Sequence, residues 1–364
     1  MKRLRYIYLL SLASVMFLLN HACTSSNLEV EKPEQIDRQD MLRHYADNLI
    51  IPAFKELQTN VNALQVSAEV VAAKPTLANL AILQAAWNKT HLSFQSANAF
   101  NFGPAGETGT RKRLVEEIGT FPISIKIMET NIAKGLPVPN DANYDARGLL
   151  AIEYLIFDVK GDNQRILDGL ITASREVYLK KQIANLKGHV DQVVTDWANY
   201  RETFINSDGT AAGSSISMLY NEFVRSYESL SNVKVNLPQD VTTGGNSLES
   251  APVEAYYSGK SLTFAQAHFA ALENIWRGRV AGKDGPGFDD LLNTVSGGPA
   301  LVASIEAQNA TIQKAFDDLG NTPSLTGQTQ ASKPKVEKLQ TELQKNTRLL
   351  KNDMSSALGL TITQ

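Results

Sequence analysis

Of 364 residues only one, Cys23, is a cysteine. Intrachain disulfides are thereby excluded, as is any zinc or iron–sulfur site built on several thiolates. Histidine is scarce too. Of the five, His21 sits in the leader-like N-terminus, and His44, His91, His189 and His268 stand far apart. None forms a His-x-x-x-His or His-x-x-Glu pair, which would set two metal ligands on one helical face. Concentrated positive charge is missing: beyond residue 22 the chain carries 32 basic against 38 acidic side chains and no basic block. That balance offers nothing to recruit nucleic acid, which is excluded as a partner. Sustained period-two alternation is absent, which argues against amphipathic strands. No Gly-x-Ser-x-Gly motif occurs, and Gly259-Lys260-Ser261 resembles the end of a phosphate loop only until position 254, where the needed glycine is Glu254.

The N-terminus is informative. Lys2, Arg3 and Arg5 precede an apolar run from Tyr6 to Leu19, then Leu19-Asn20-His21-Ala22-Cys23. The run is short for a bilayer core of ~30 Å and of the right length for a secretory leader. A small residue directly before the lone cysteine resembles a bacterial lipoprotein signal. Residues 1–22 are thus read as a signal peptide and 23–34 as a polar tether. Cys23 becomes a lipidated N-terminus that anchors the protein to a membrane of the cell envelope.

Beyond the tether, helical spacing dominates the chain. Ile50, Phe54, Leu57, Val61, Leu64, Ala68 and Val71 fall on one stripe, with Pro52 expected to kink or restart the helix. Lys74-Pro75-Thr76 reads as a break with Thr76 as N-cap, and a second helix runs through Leu80, Leu83, Trp87, His91 and Phe94 to the stop at Gly103-Pro104. A third is expected from about Arg111, interrupted near Pro122. A further long helix is drawn by Ile183, Leu186, Val190, Val193, Trp197, Tyr200 and Phe204. The Asp/Gly/Thr/Ala/Ser stretch from Ser207 to Ser215 is the expected boundary between a first bundle, 35–206, and a second, 216–364. The second has helices near 217–231, 261–277, 299–319 and 335–358 and an interruption at 242–246. The fold class is all-α, two helical-bundle halves.

One acid stands out. In Gly148-Leu149-Leu150-Ala151-Ile152-Glu153-Tyr154-Leu155-Ile156-Phe157, Glu153 lies on a segment apolar all round, where an isolated carboxylate costs several kcal/mol unless something satisfies it. The partner is expected to be an arginine such as Arg147 or Arg175, a neighbouring helix end, or a bound cation. This segment resembles the Gly-x-His-x-x-Glu signature of the imelysin-like envelope proteins. Met41-Leu42, Tyr45-Ala46-Asp47, Trp87 and Phe100-Asn101-Phe102-Gly103-Pro104 add to the resemblance. So do Glu228, Lys234, Leu237-Pro238 and Ser258-Gly259-Lys260-Ser261-Leu262 in the second half.

The resemblance implies an all-helical fold with a site in the cleft between its halves. It also implies a link to proteins made under iron limitation, some of them classed as metallopeptidases. Gly148 and Glu153 match the signature, but Leu150 stands in the histidine position, and leucine can neither ligate a metal nor move a proton. The expected function is therefore a non-catalytic, lipid-anchored envelope binding protein, linked to iron or haem acquisition through a ligand or an envelope partner. The alternative is a metallopeptidase whose missing ligand comes from His91 or His268. The residues themselves name no cofactor.

The anchoring is directly testable. Cys23→Ser removes the acyl attachment, and with it ~0.8 kcal/mol per buried methylene, so the variant is expected in the soluble fraction. Its persistence with membranes would contradict the lipoprotein reading.

Overall fold

Asp37 begins the first described helix by capping it: its Oδ1 accepts from the Gln39 and Asp40 amides at 2.8 and 3.2 Å. The computed structural model describes residues 36–107, 113–139, 143–240, 253–320 and 324–363. Cys23, the leader and the interruption at 242–246 lie outside them. Helix α1, Arg38–His44, passes through a π-helical turn, Tyr45–Ile50, into α2, Ile51–Ala73. Pro52 falls in the first turn of α2, directly after the π-helical turn; His44, Ile50 and Ile51 all keep right-handed helical angles, so the chain does not restart there but runs on helically, with the wider turn placed just before the residue that has no N–H to give. Lys74 leaves the helical region, and Thr76 Oγ1 accepts from the Asn79 amide at 3.2 Å to start α3, Leu77–Ala97.

The expected third helix is two: α4, Leu114–Ile118, and α5, Ile125–Lys134, the latter closed by Gly135 at φ +64°. The apolar segment is α6, Leu149–Ile156. It is followed by α7, Asn163–Leu170, which carries too few apolar positions to announce itself. Helix α8, Ala173–Ile205, begins ten residues before Ile183 because Tyr178 and Leu179 already bury against the bundle. α2, α3 and α8 pack together as the body of the first half.

Past the loop 206–214, Ser214 Oγ caps α9, Ser215–Glu228. A π-helical stretch, Ser229–Asn236, leads to α10, Leu237–Asp240. Then come α11, Ser261–Trp276; α12, Phe288–Asn293; and α13, Gly298–Asp318. Helix α14, Leu325–Arg348, is kinked at Ser332 just before Pro334, and it ends in a third π-helical turn and the short α15, Ser355–Leu358. Among the described residues there is no strand, only an isolated bridge between Val280 and Lys283. The fold is all-α.

Apolar side chains of both runs of helices merge into one continuous core. Tyr45 of the first half meets Phe288 of the second at 5.7 Å between ring centroids, and α11 packs on α3. Trp87, Phe94, Trp197 and Phe204 are all buried, as their stripes require. Trp87 is also polar-satisfied: its Nε1 donates to the Leu149 carbonyl at 2.8 Å while its ring stacks on His91. Trp87→Ala therefore removes a large apolar volume and orphans a buried carbonyl. A loss of ~3–5 kcal/mol is expected in denaturant unfolding, and a loss below ~1 kcal/mol would show that the site collapses without cost.

Candidate functional site

Gly148 sits directly before α6 with φ +86°, and a Cβ there would lie 2.5 Å from the Ile118 carbonyl oxygen. Only glycine suits both conditions. It starts a helix whose side chains, Tyr154 excepted, are buried. Leu150 is among them, packed into the apolar core where the signature has its histidine. Glu153, 2% exposed, is satisfied across the molecule: its Oε1 accepts from the backbone amide of Ser258 at 2.7 Å. Neither arginine is its partner. Arg147 pairs with Glu117 at 2.5 Å, and Arg175 pairs with Glu129 at 2.7 Å, a carboxylate that also accepts from the Tyr154 hydroxyl. The expectation of an arginine rested on nearness in sequence, whereas the acid reaches a loop 105 residues away.

Burial pushes the Glu153 carboxyl up to about 8. Hydrogen bonds from Ser258 work against this rise, and the negative charge of Glu254 adds to it. At neutral pH this acid is therefore mostly protonated.

A second buried constellation ends on the same loop. On α3, His91 and Gln95 are one turn apart and both face inward. His91 Nε2 and Gln95 Nε2 donate to Glu254 Oε1 at 3.0 and 3.1 Å. Lys234, from the π-helical stretch, donates through Nζ to the same oxygen at 3.1 Å and lies 3.1 Å from Oε2. It also donates to Gln95 Oε1. Burial opposes the charge on Glu254, but the Lys234 ammonium and the His91 hydrogen bond overcome it and hold the carboxyl well below the usual carboxylate range. Burial lowers His91 despite the attraction of Glu254, so its ring is neutral at pH 7 with the proton on Nε2. Its ring lies between Trp87 and Phe264, with centroids at 5.0 and 4.2 Å. His268 on α11 is buried nearby, with its Nε2 2.7 Å from the Ser226 hydroxyl, and burial drives its pKa far down.

These contacts leave His91 committed to Glu254 and His268 to Ser226. Each keeps a buried Nδ1 with no hydrogen-bond partner among the described residues. Among those residues, no group of three or more His, Cys, Asp or Glu side chains is disposed to hold a metal ion. Glu153 Oε1 is already taken up by the Ser258 amide, and the carboxylate of Glu254 already has its cation in Lys234. The residues present do not fit a resident catalytic metal.

Outside this interior, the opposite edge of α3 forms one wall of a groove. Ser93 and Ser96 face Ala267, Ala270 and Asn274 of α11 across a space of about 400 Å³, which continues past Phe100 toward Arg279 in a further space of about 240 Å³. Sequence reasoning pointed to Gly148, Leu150 and Glu153 and passed over Gln95 and Glu254. The available signal was the inward spacing of His91 and Gln95, two polar residues four apart on an otherwise apolar face.

Glu153 makes stability depend on pH with a definite sign. Between its ordinary value of 4.5 and about 8, the folded protein holds a proton that the unfolded chain has released. Its contribution therefore declines as pH rises through that window. Glu153→Gln keeps the hydrogen-bonding shape of the neutral acid and cannot ionise. Its unfolding free energy is expected to flatten with pH and, above about pH 8, to exceed that of the wild type by on the order of a few kcal/mol. Parallel pH profiles for the two proteins would contradict this.

The family model of imelysin matches residues 50–350. The chain is 22% identical over 281 residues to iron-regulated protein A of Synechococcus elongatus, covering 76% of this chain and 74% of that one. Its fold is similar to a solved protein from Parabacteroides distasonis, described as an iron-regulated protein A precursor. That match has a TM-score of 0.70 and 17% identity, over 90% of this chain and 96% of the other. An imelysin-like protein from Psychrobacter arcticus matches with a TM-score of 0.65 and 16% identity, over 91% of this chain and 99% of that one. With the model covering most of the sequence and the glycine and glutamate of the signature in place, this chain belongs to the imelysin family.

Proposed function

We propose that this protein is a non-catalytic, lipid-anchored binding protein of the cell envelope that serves iron or haem acquisition. The observation that carries the reading is the state of the signature acid. Glu153 is buried, largely protonated and bound to the Ser258 amide, with Leu150 in the histidine position, so it acts as a bond between the two runs of helices. A hydrolytic metal centre needs several ligand atoms converging on one point, and among the described residues no three His, Cys, Asp or Glu side chains are so disposed. The iron connection is supported by the names of the relatives, and the anchoring by the leader-like sequence ending at Cys23. The ligand surface is the groove between α3 and α11, which is open to solvent and bordered by small and polar side chains together with Leu92, Glu56 and Lys89.

Two measurements test this together. Peptide hydrolysis by the purified protein is expected to stay at the buffer rate with and without added zinc, and zinc is expected to leave the melting temperature unchanged. Titration with haem or ferric citrate is expected to quench tryptophan fluorescence in the wild type and to lose that effect in Ala270→Trp, which fills the groove at an exposed position. Hydrolysis that disappears in Glu153→Gln would overturn the proposal in favour of a peptidase.

A further inference from the structure

Lys234 and Glu254 are each at most 3% exposed, and an ion pair so deep is costly to desolvate. It is tolerated only where geometry is close and the remaining polar atoms are met. The first condition holds, since Nζ sits among three oxygens, Glu254 Oε1 and Oε2 and Gln95 Oε1, while His91 donates to the same carboxylate; the second holds in part, because Glu254 Oε2 has the ammonium beside it but no hydrogen bond among the described residues. Lys234 reaches this position from the π-helical stretch, whose wider turn places Leu230, Ser231, Lys234 and Val235 inward and Val233 outward. Such turns commonly mark sites where helical register is adjusted for function.

We infer that the oxygens of Gln95 and Glu254, the latter held by His91, form a cation site between the two runs of helices, and that its resident cation is the tethered ammonium of Lys234. The three oxygens are a donor set that would suit a free cation, His91 holds their carboxylate in place by donating to it, and the lysine side chain delivers a cation covalently. The site would accept an exogenous cation of the same chemistry, a small primary ammonium ion, once the tether is cut.

Lysine beyond its Cβ has three carbons and an ammonium, so propylammonium matches what Lys234→Ala removes. The test uses the full chain and thermal melting. Lys234→Ala is expected to melt well below the wild type. Propylammonium chloride should raise its melting temperature saturably, as a ligand specific to the folded state must. Tetramethylammonium chloride, with the same charge and no N–H donor, should not. The rise should vanish in Lys234→Ala/Glu254→Gln, which lacks the carboxylate, and should be absent from the wild type, whose site is filled. A folded Lys234→Ala that responds equally to both salts would overturn the inference, as would a response that survives removal of Glu254. Should Lys234→Ala fail to fold, the double variant decides. If it folds where the single variant does not, propylammonium must restore folding to Lys234→Ala, and its failure to do so would overturn the inference. If both fail and added propylammonium restores neither, the site is not a cation site.

Discussion

The junction of the two runs of helices depends on a carboxylate that no solvent reaches. Glu254 remains ionised inside the protein only because Lys234 supplies a full positive charge and His91 and Gln95 supply neutral donors. Removing any one of these leaves a charge or a donor in a low-dielectric interior without compensation, which is far more costly than never having built the network. His91 and Gln95 belong to α3, Lys234 to the π-helical stretch and Glu254 to the segment before α11, so the same network fixes three separate parts of the chain.

Glu153 sits beside this network and answers its field. The negative charge of Glu254 adds to burial in keeping Glu153 protonated, so two acids that end on one short loop are held in opposite states. The difference comes from the neighbours. Glu254 has a lysine, while Glu153 has the Ser258 amide, which is a dipole and not a charge. A neutral acid and an ion pair are both quiet states for a buried site. In this chain the glutamate of the family signature hydrogen-bonds to the loop before α11, while the solvent-open groove lies on the opposite edge of α3.

Much of the fold was legible in the sequence because helix formation and termination are local. The stripe from Ile50 to Val71, the cap at Thr76 and the burial of Trp87, Phe94, Trp197 and Phe204 all follow from spacing, side-chain shape and backbone chemistry within a few residues. Helices α7 and α12 were not legible, since six to eight residues carry too little periodic signal. Glu153 could be recognised as needing a partner, because its apolar surroundings are contiguous in sequence.

Which partner it found could not be read in the same way. Arg147 and Arg175 were the near choices along the chain, yet they turned to Glu117 and Glu129, and Ser258 came from the far run of helices. Likewise Gln95, Lys234 and Glu254 are ordinary polar residues until α3, the π-helical stretch and the loop before α11 are brought together. The sequence by itself determined the helices, their apolar faces and the presence of an acid that must be satisfied, because each depends on neighbours a few residues away. The tertiary structure alone decided which charges face each other, because electrostatic pairing in a buried interior depends on distance in space between residues that lie far apart along the chain.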